Sequence, residues 1–314
     1  MSVYAKVPFE MGGITRGILC KGPRGSSGLV AVYNMAVILY TETLGTLGPV
    51  NEDELKHLLG RMLQAALGTR AIEDTQRTEL FRVIDEHQGR LGVCPVLASP
   101  QSYTVSDSVW LFVSMGIKLL HGWVLDPEVS IYESIKFHTR DQLLLHRASL
   151  EGQEDQAENL ALVDQLLNAA DNQLTDYGFR SLFAEIAEGG FAVVFCYNRF
   201  NVVHRRAGKL FMLETDVVVR HKFPEVVWRF FDGAVPEDSI LLTGEYIPVV
   251  GQQNFEEKVA RWTQESSTDE TSGYKENQSR GQRRNAQRKK KKAMEKEGAK
   301  ASSDADQKSQ GINK

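Results

Sequence analysis

Apolar residues fall into helix-like and strand-like groups up to about residue 250 and thin out beyond it. Residues 14–20 have the composition of a strand, and a loop rich in Gly, Pro and Ser follows over residues 21–27. The apolar stretch of residues 28–40 predicts a buried helix, because it carries Ala, Leu and Met throughout and is too long for a typical strand. Either Ser26 or Ser27 is a suitable N-cap for that helix.

Helical spacing continues after this stretch. Residues 51–67 have apolar positions at helical intervals, and Asn51 followed by Glu54 forms a capping-box pattern. Further helices are predicted over residues 75–87, 141–149, 157–170 and 177–188. Residues 91–120 mix turns with apolar runs and support no assignment, whereas residues 121–127 are predicted to be a loop.

A hairpin is predicted late in the chain. Its parts are an apolar strand over residues 191–195 that stays extended to His204, a turn at residues 206–208, and a return strand over residues 209–215. A turn centred on Ala207 would place Arg199 opposite Thr215 on one face of the hairpin, toward the buried helix. Helices first and strands later predict an α+β fold, with N-terminal helices packed on a C-terminal antiparallel sheet.

Positive charge is concentrated near the C-terminus. Residues 280–300 contain ten Lys or Arg and two Glu, and residues 301–314 balance to zero. Because the whole chain carries −4, residues 1–279 carry −12. A body this acidic argues against a nucleic-acid-binding domain, since phosphate binding needs a positive surface.

The C-terminal segment differs in composition from the rest. Residues 251–314 are rich in Ser, Thr, Glu, Lys, Arg and Gln and cannot bury a core. We therefore predict one domain over residues 1–250 and a disordered tail over residues 251–314. The basic cluster of that tail is either simply solvated or a contact for nucleic acid or a nuclear import receptor.

The cysteines bear on the compartment. Cys20, Cys94 and Cys196 are too few and too scattered for a disulfide framework, which predicts a reducing environment. No segment approaches the roughly 18 apolar residues of a membrane span, and the first residues lack the apolar core of a signal peptide. We expect a cytoplasmic protein, with nuclear access as an alternative and no membrane partner. The histidines show no metal-ligand spacing, so no metal or other cofactor is expected.

A loop that leads into a buried helix, combined with a hairpin much later, is the layout of cysteine hydrolases. The nucleophile lies at the helix N-terminus, where the helix dipole and free N–H groups stabilise a thiolate and an oxyanion. A histidine from a later strand takes the proton, and a third polar group orients that histidine.

Five blocks of sequence resemble the MINDY family of papain-like deubiquitinases. They follow one another in the same order as in that family, over roughly residues 12–245. They are residues 25–34 (GSSGLVAVYN), 121–127 (HGWVLDP), 173–182 (QLTDYGFRSL), 194–200 (VFCYNRF) and 226–228 (VVW). The resemblance implies a papain-like α+β fold. It also implies that the partner is ubiquitin or polyubiquitin of the linkage that marks proteasome substrates.

The departures from the family pattern fall on the reacting groups. The resemblance places Ser27 at the nucleophile position, Arg199 at the histidine position and Lys21 at the oxyanion-hole glutamine, and it keeps the orienting threonine as Thr215. A serine needs a base, and an arginine that stays protonated cannot accept a proton. His204 is the nearest alternative base, but its odd offset from Arg199 turns it to the other face of a regular strand.

Other residues have two interpretations. His121, Trp123 and Asp126 are candidate binding residues, although a Trp beside a Gly is more often a core anchor, with its neighbouring histidine in a buried hydrogen bond. Cys94 lies in a sequence that imitates the nucleophile loop, but no long helix follows it, which favours a structural cysteine. Cys20 and Cys196 are expected in the core.

These residues favour a pseudo-deubiquitinase, a deubiquitinase-like domain that binds polyubiquitin without turnover. One alternative is an active cysteine deubiquitinase that uses a different cysteine. A second alternative is a scaffold that has lost ubiquitin binding and acts through its basic tail.

Overall fold

The computed structural model describes residues 3–11, 14–22, 25–40, 49–68, 73–86, 91–233 and 239–249. The predicted domain boundary at residue 250 and the basic tail lie outside these ranges. None of the helices among the described residues has the length and apolar character needed to cross a membrane.

The N-terminal part of the chain forms a small antiparallel sheet. Its strands are β1 (Val3–Met11), β2 (Ile14–Lys21) and β3 (Val50–Asn51), in the order β2-β1-β3. Strand β2 was predicted and is confirmed, whereas β1 was not assigned from the sequence. β1 pairs with β2 from Tyr4 opposite Lys21 to Met11 opposite Ile14, and its first residue, Val3, lies opposite Asn51 of β3.

The predicted buried helix is α1 (Ser27–Tyr40), and it is buried without a break from Gly28 to Ile38. The capping box of α2 (Glu52–Leu67) is also confirmed, since Asn51 and Glu54 exchange side-chain and backbone hydrogen bonds. The remaining helices are α3 (Asp74–Asp85), α4 (Asp107–Ser114), α5 (Tyr132–Ile135), α6 (Arg140–Leu150), α7 (Ala157–Ala170), α8 (Asp176–Glu185) and α9 (Val217–Lys222). Helix α4 lies in the segment that supported no assignment.

A larger sheet forms the second part of the domain. Its strands, in spatial and chain order, are β4 (Leu119–His121), β5 (Phe191–Cys196), β6 (Arg199–Arg206), β7 (Lys209–Leu213), β8 (Trp228–Phe231) and β9 (Leu241–Leu242). Strands β4 and β5 are parallel and the other neighbours are antiparallel. The prediction that residues 121–127 are entirely loop is wrong at its first residue, because His121 pairs with Phe195.

Two tight turns correct the predicted hairpin. The segment expected to stay extended to His204 reverses at Tyr197 and Asn198, both with positive φ, so β5 and β6 are separate strands. The next reversal uses two residues, Ala207 and Gly208, also with positive φ.

The second turn shifts the predicted register by one residue. The ladder of β6 and β7 runs from Arg206 opposite Lys209 to Val203 opposite Met212. The predicted pairing of Arg199 with Thr215 is therefore wrong, since a two-residue turn cannot be centred on Ala207 alone.

Helix α1 is fixed to the small sheet by a buried asparagine. The Asn34 side chain accepts a hydrogen bond from the Leu19 amide at 2.7 Å and donates one to the Leu19 carbonyl at 3.0 Å. Because β2 is the edge strand of its sheet, the Asn34 amide takes the place of a neighbouring strand. This pairing holds the middle of α1 against β2, and α1 also contacts β5 and β6.

Candidate functional site

Ser27 is the first residue of α1 and is half-buried. The neighbouring Ser26 caps the helix, because its hydroxyl accepts a hydrogen bond from the Leu29 amide at 3.3 Å. The Ser26 amide in turn donates to the Tyr4 hydroxyl at 3.2 Å. The Ser27 hydroxyl is left for another contact and accepts a hydrogen bond from the Phe200 amide at 3.3 Å. The loop before α1 thus meets the start of β6.

Arg199 is the first residue of β6, next to Phe200, and is exposed. The turn before it is held by Gln173, whose Oε1 accepts a hydrogen bond from the Asn198 amide at 2.6 Å. The Gln173 Nε2 donates to the Asn198 Oδ1 at 3.1 Å and to the Ala170 carbonyl at 2.8 Å. Gln173 is itself buried and has positive φ. Its role as a clamp for the position of Arg199 was not predicted, although it opens one of the sequence blocks quoted above.

Lys21 and Thr215 meet through their backbones. The Lys21 amide donates to the Thr215 carbonyl at 2.8 Å, and Lys21 forms an isolated parallel bridge with Asp216. The Lys21 side chain is half-buried. Burial lowers the pKa of its ammonium group, and the nearby positive charge of Arg199 lowers that pKa further, while Asp216 and Glu214 act in the opposite direction.

Four predicted positions are therefore assembled at one corner of the domain, despite the wrong register. Ser27 reaches the amide that follows Arg199, Lys21 bonds to the backbone of Thr215, and the charges of Lys21 and Arg199 influence each other. We call this arrangement of Lys21, Ser27, Arg199 and Thr215 the corner site. Its polar side chains are the hydroxyls of Ser27 and Thr215 and the two cations, and none of them is a general base at neutral pH.

His204 does not supply the missing base. Its ring stacks on Phe191 with centroids 4.2 Å apart, and its Nδ1 forms a hydrogen bond with the Tyr246 hydroxyl. Burial lowers the pKa of His204 to about 4, and the positive charge of Arg206 adds to that effect. The imidazole is therefore held in an aromatic cluster on the sheet, where its neighbours are Phe191, Trp228 and Tyr246.

His121 and Trp123 are packing residues in the structure. His121 is fully buried; its Nδ1 accepts a hydrogen bond from the Trp123 amide at 3.1 Å and its Nε2 lies 2.9 Å from the Ser102 carbonyl. This pattern makes Nε2 the protonated nitrogen, and burial lowers the pKa of the ring to about 4. The Trp123 indole is 2% exposed and donates to the Leu166 carbonyl at 2.8 Å. Neither side chain has a surface through which to contact a partner.

Asp126, the third candidate binding residue, is half-buried. Its carboxylate accepts a hydrogen bond from the Glu128 amide at 3.0 Å, and its carbonyl accepts one from the Val129 amide at 3.3 Å. These bonds define a turn after the segment of His121 and Trp123, so Asp126 shapes the backbone there.

The three cysteines differ in access. Cys20 and Cys196 are fully buried; burial raises the pKa of Cys20 to about 12 and raises that of Cys196 as well. Cys94 is half-buried and lines a cleft of about 270 Å³, together with Thr139, Asp141 and other side chains. Burial raises the pKa of Cys94 too, and no histidine is among the residues that line the cleft.

A mixed α+β domain with a buried helix whose N-terminus meets a strand of an antiparallel sheet is the arrangement of papain-like deubiquitinases. The sequence model of the MINDY deubiquitinase family matches residues 3–246. The chain belongs to this family, as the sequence blocks indicated.

Named relatives are distant and longer than this chain. Human ubiquitin carboxyl-terminal hydrolase MINDY-1 is 28% identical over 68% of this chain, and human MINDY-2 is 24% identical over 63%. The uncharacterized Saccharomyces cerevisiae protein YGL082W is 23% identical over 76% of this chain. The matched regions cover 47% of MINDY-1, 34% of MINDY-2 and 67% of the yeast protein. The chain thus spans between a third and a half of the length of the two human relatives.

Proposed function

We propose that this protein binds polyubiquitin, of the linkage that marks proteasome substrates, and does not hydrolyse it. The observation that carries the proposal is the environment of Ser27. Its hydroxyl accepts a hydrogen bond from the Phe200 amide, and the side chain adjoining that amide is Arg199. A chain-binding surface does not require the reacting groups, because binding and chemistry depend on different residues.

Proton transfer is the step that fails. A serine hydroxyl is barely ionised near neutral pH and needs a base to become a nucleophile. Arginine has five N–H donors and no acceptor, so Arg199 can neither take that proton nor return it to a leaving amine. Lys21 adds a second positive charge where the family resemblance places an uncharged glutamine. All three changes act against turnover at the same corner.

The rival function, an active cysteine deubiquitinase, depends on Cys94. This thiol is the most accessible of the three and lines a cleft, which is the feature in its favour. Its pKa is raised by burial, whereas a catalytic thiolate needs a lowered pKa and a nearby histidine. The cleft lining supplies Thr139 and Asp141 but no imidazole.

The test combines chain binding with chain cleavage. The unmodified protein should retain ubiquitin chains of the proteasome-directing linkage in a pulldown and release no monoubiquitin from them. Ser27→Cys alone should remain inactive, because no histidine can protonate the leaving amine, although the new thiol should react with iodoacetamide. The triple variant Lys21→Gln, Ser27→Cys, Arg199→His should gain measurable cleavage, since losses of nucleophile and base do not add independently.

Two outcomes would contradict the proposal. Cleavage by the unmodified protein that is abolished by Cys94→Ala would establish the rival enzyme. Cys196→Ala serves as the control and should leave any cleavage intact, because that thiol is fully buried. An absence of chain binding in the pulldown would leave the domain as a scaffold that acts through its other parts.

A further inference from the structure

Two residues of the corner site, Lys21 and Arg199, carry positive side chains. Lys21 ends β2, and the loop after it turns back so that Ser27 contacts the Phe200 amide, directly beside Arg199. The return of this loop is tight, since a Cβ built on Gly25 would lie 2.8 Å from the Cβ of Lys21. The end of β2, with Lys21, and the start of β6, with Arg199, therefore both lie near the first turn of α1.

The carboxylates near these cations have other partners. Glu214 accepts hydrogen bonds from the Arg229 Nε at 2.9 Å and from the Asp216 amide at 2.8 Å. The Asp216 carboxylate accepts from the Val218 amide at 2.8 Å and caps α9. Among the residues that the structure describes, no ion pair involves Lys21 or Arg199.

Two cations at one corner of the domain favour the binding of an anion. Burial, followed by the charge of Arg199, lowers the pKa of Lys21 in spite of the opposing charges of Asp216 and Glu214. An anion would reverse both effects by pairing with the ammonium and the guanidinium. A planar carboxylate suits this pair of residues, since it can accept two parallel N–H bonds from an arginine.

We infer that the corner site binds the free C-terminal carboxylate of ubiquitin, in preference to a ubiquitin C-terminus that is joined to another chain. The inference rests on the proposed function, and it adds that the C-terminus of the bound ubiquitin lies at Ser27. A carboxylate carries the negative charge that Lys21 and Arg199 can pair with, whereas the amide of a conjugated C-terminus is neutral. The protein would therefore select unanchored ubiquitin and the free end of unanchored chains.

The test compares two ubiquitins that differ only at the last carbonyl. Full-length protein is titrated, in low-salt buffer, with ubiquitin ending in its native carboxylate and with ubiquitin ending in a primary amide. The carboxylate form should bind about five- to tenfold more tightly, the ratio for charge-assisted contacts that are partly exposed. Raising the salt concentration toward 1 M should reduce the ratio toward one.

Two double variants test whether Lys21 and Arg199 cause the preference for the carboxylate form of ubiquitin. The double variant Lys21→Gln, Arg199→Gln should bind both ubiquitins with the same affinity. The matched control Arg61→Gln, Arg180→Gln removes the same charge from exposed positions on α2 and α8 and should keep the preference. Equal binding of the two ubiquitins by the unmodified protein would overturn the inference while leaving the proposed function intact. If neither ubiquitin nor ubiquitin chains bind, the proposed function itself fails.

Discussion

Asn34 shows how a single polar residue can fix the position of an apolar helix. It is fully buried in the middle of α1, and both ends of its amide bond to the backbone of Leu19. A buried backbone amide and carbonyl that lose their partners pay a desolvation cost, which exceeds the modest net gain of an ordinary hydrogen bond. The orientation of α1, and with it the position of Ser27, depends on this one side chain.

Replacing Asn34 by leucine should destabilise the domain strongly. The change keeps the number and branching of the side-chain heavy atoms but leaves the Leu19 amide and carbonyl without partners, at a cost of about 2–4 kcal/mol in the free energy of unfolding. Urea denaturation followed by circular dichroism would measure it. The neighbouring change Met35→Leu, also buried and of similar volume, should cost less than about 1.5 kcal/mol. Similar losses in the two variants would show that Asn34 acts only by filling space.

The sequence predicted the residues of the corner site better than their partners. Ser26 and Ser27 were identifiable because a cap has a local signature before an apolar run. Asn34 was not, because its partner Leu19 lies outside the helix and no local rule connects the two. Gln173 was missed for the same reason, since its contact with Asn198 joins two turns that are distant in the chain.

At the scale of elements, turn geometry decided what could be predicted. The strands of the second hairpin were assigned from their apolar runs, but the register depends on whether the turn contains one central residue or two. Ala207 and Gly208 both have positive φ, and nothing in an Ala residue signals a left-handed backbone. The reversal at Tyr197 and Asn198 was missed likewise, and with it the division between β5 and β6.

The Ala207 turn makes a testable prediction. An alanine in the left-handed region is strained by about 1 kcal/mol, whereas asparagine tolerates this conformation and precedes glycine in many two-residue turns. Ala207→Asn should therefore raise the melting temperature by about 1–3 °C, and the β-branched change Ala207→Val should lower it by at least as much. Differential scanning calorimetry would measure both. A valine variant as stable as the unmodified protein would show that this backbone is not left-handed in solution.

At the scale of the whole molecule, two buried histidines connect stability to pH. Burial depresses the folded-state pKa of His121 and of His204 to about 4, below the ordinary value of 6.5. The unfolded chain therefore binds protons more readily than the folded protein between pH 6.5 and 4. The stability that the neutral rings provide is complete above pH 6.5 and is lost as the pH falls through this window.

Each of the two rings should lower the free energy of unfolding by up to about 1.4 kcal/mol per pH unit within the window. Urea denaturation at pH 7.5, 6.0, 5.0 and 4.5 would give the slope. His204→Phe keeps an aromatic ring against Phe191 and should remove about half of the slope. His57→Gln, at an exposed position on α2, should leave it unchanged. A flat profile for the unmodified protein would contradict the burial of both rings.

The fold class was predictable because sequence blocks from separate parts of the chain agreed on one family. The helices with clear periodicity and caps, such as α2 and α7, were predicted within a few residues of their observed bounds. Strands β1 and β4 were not, since their pairing partners decide their conformation. The site could be located from the same blocks, but which side chains touch each other depended on tertiary contacts.

At the start of α1, the residue that caps the helix is not the residue at the nucleophile position. Ser26 and Asn34 hold the helix in place, while Ser27 contributes one hydrogen bond at its edge. The residue at position 27 can therefore change during evolution with little penalty to folding. Under the proposed function, a few substitutions at the corner site would have ended turnover, while the domain stayed stable and its surface came under selection for recognition instead.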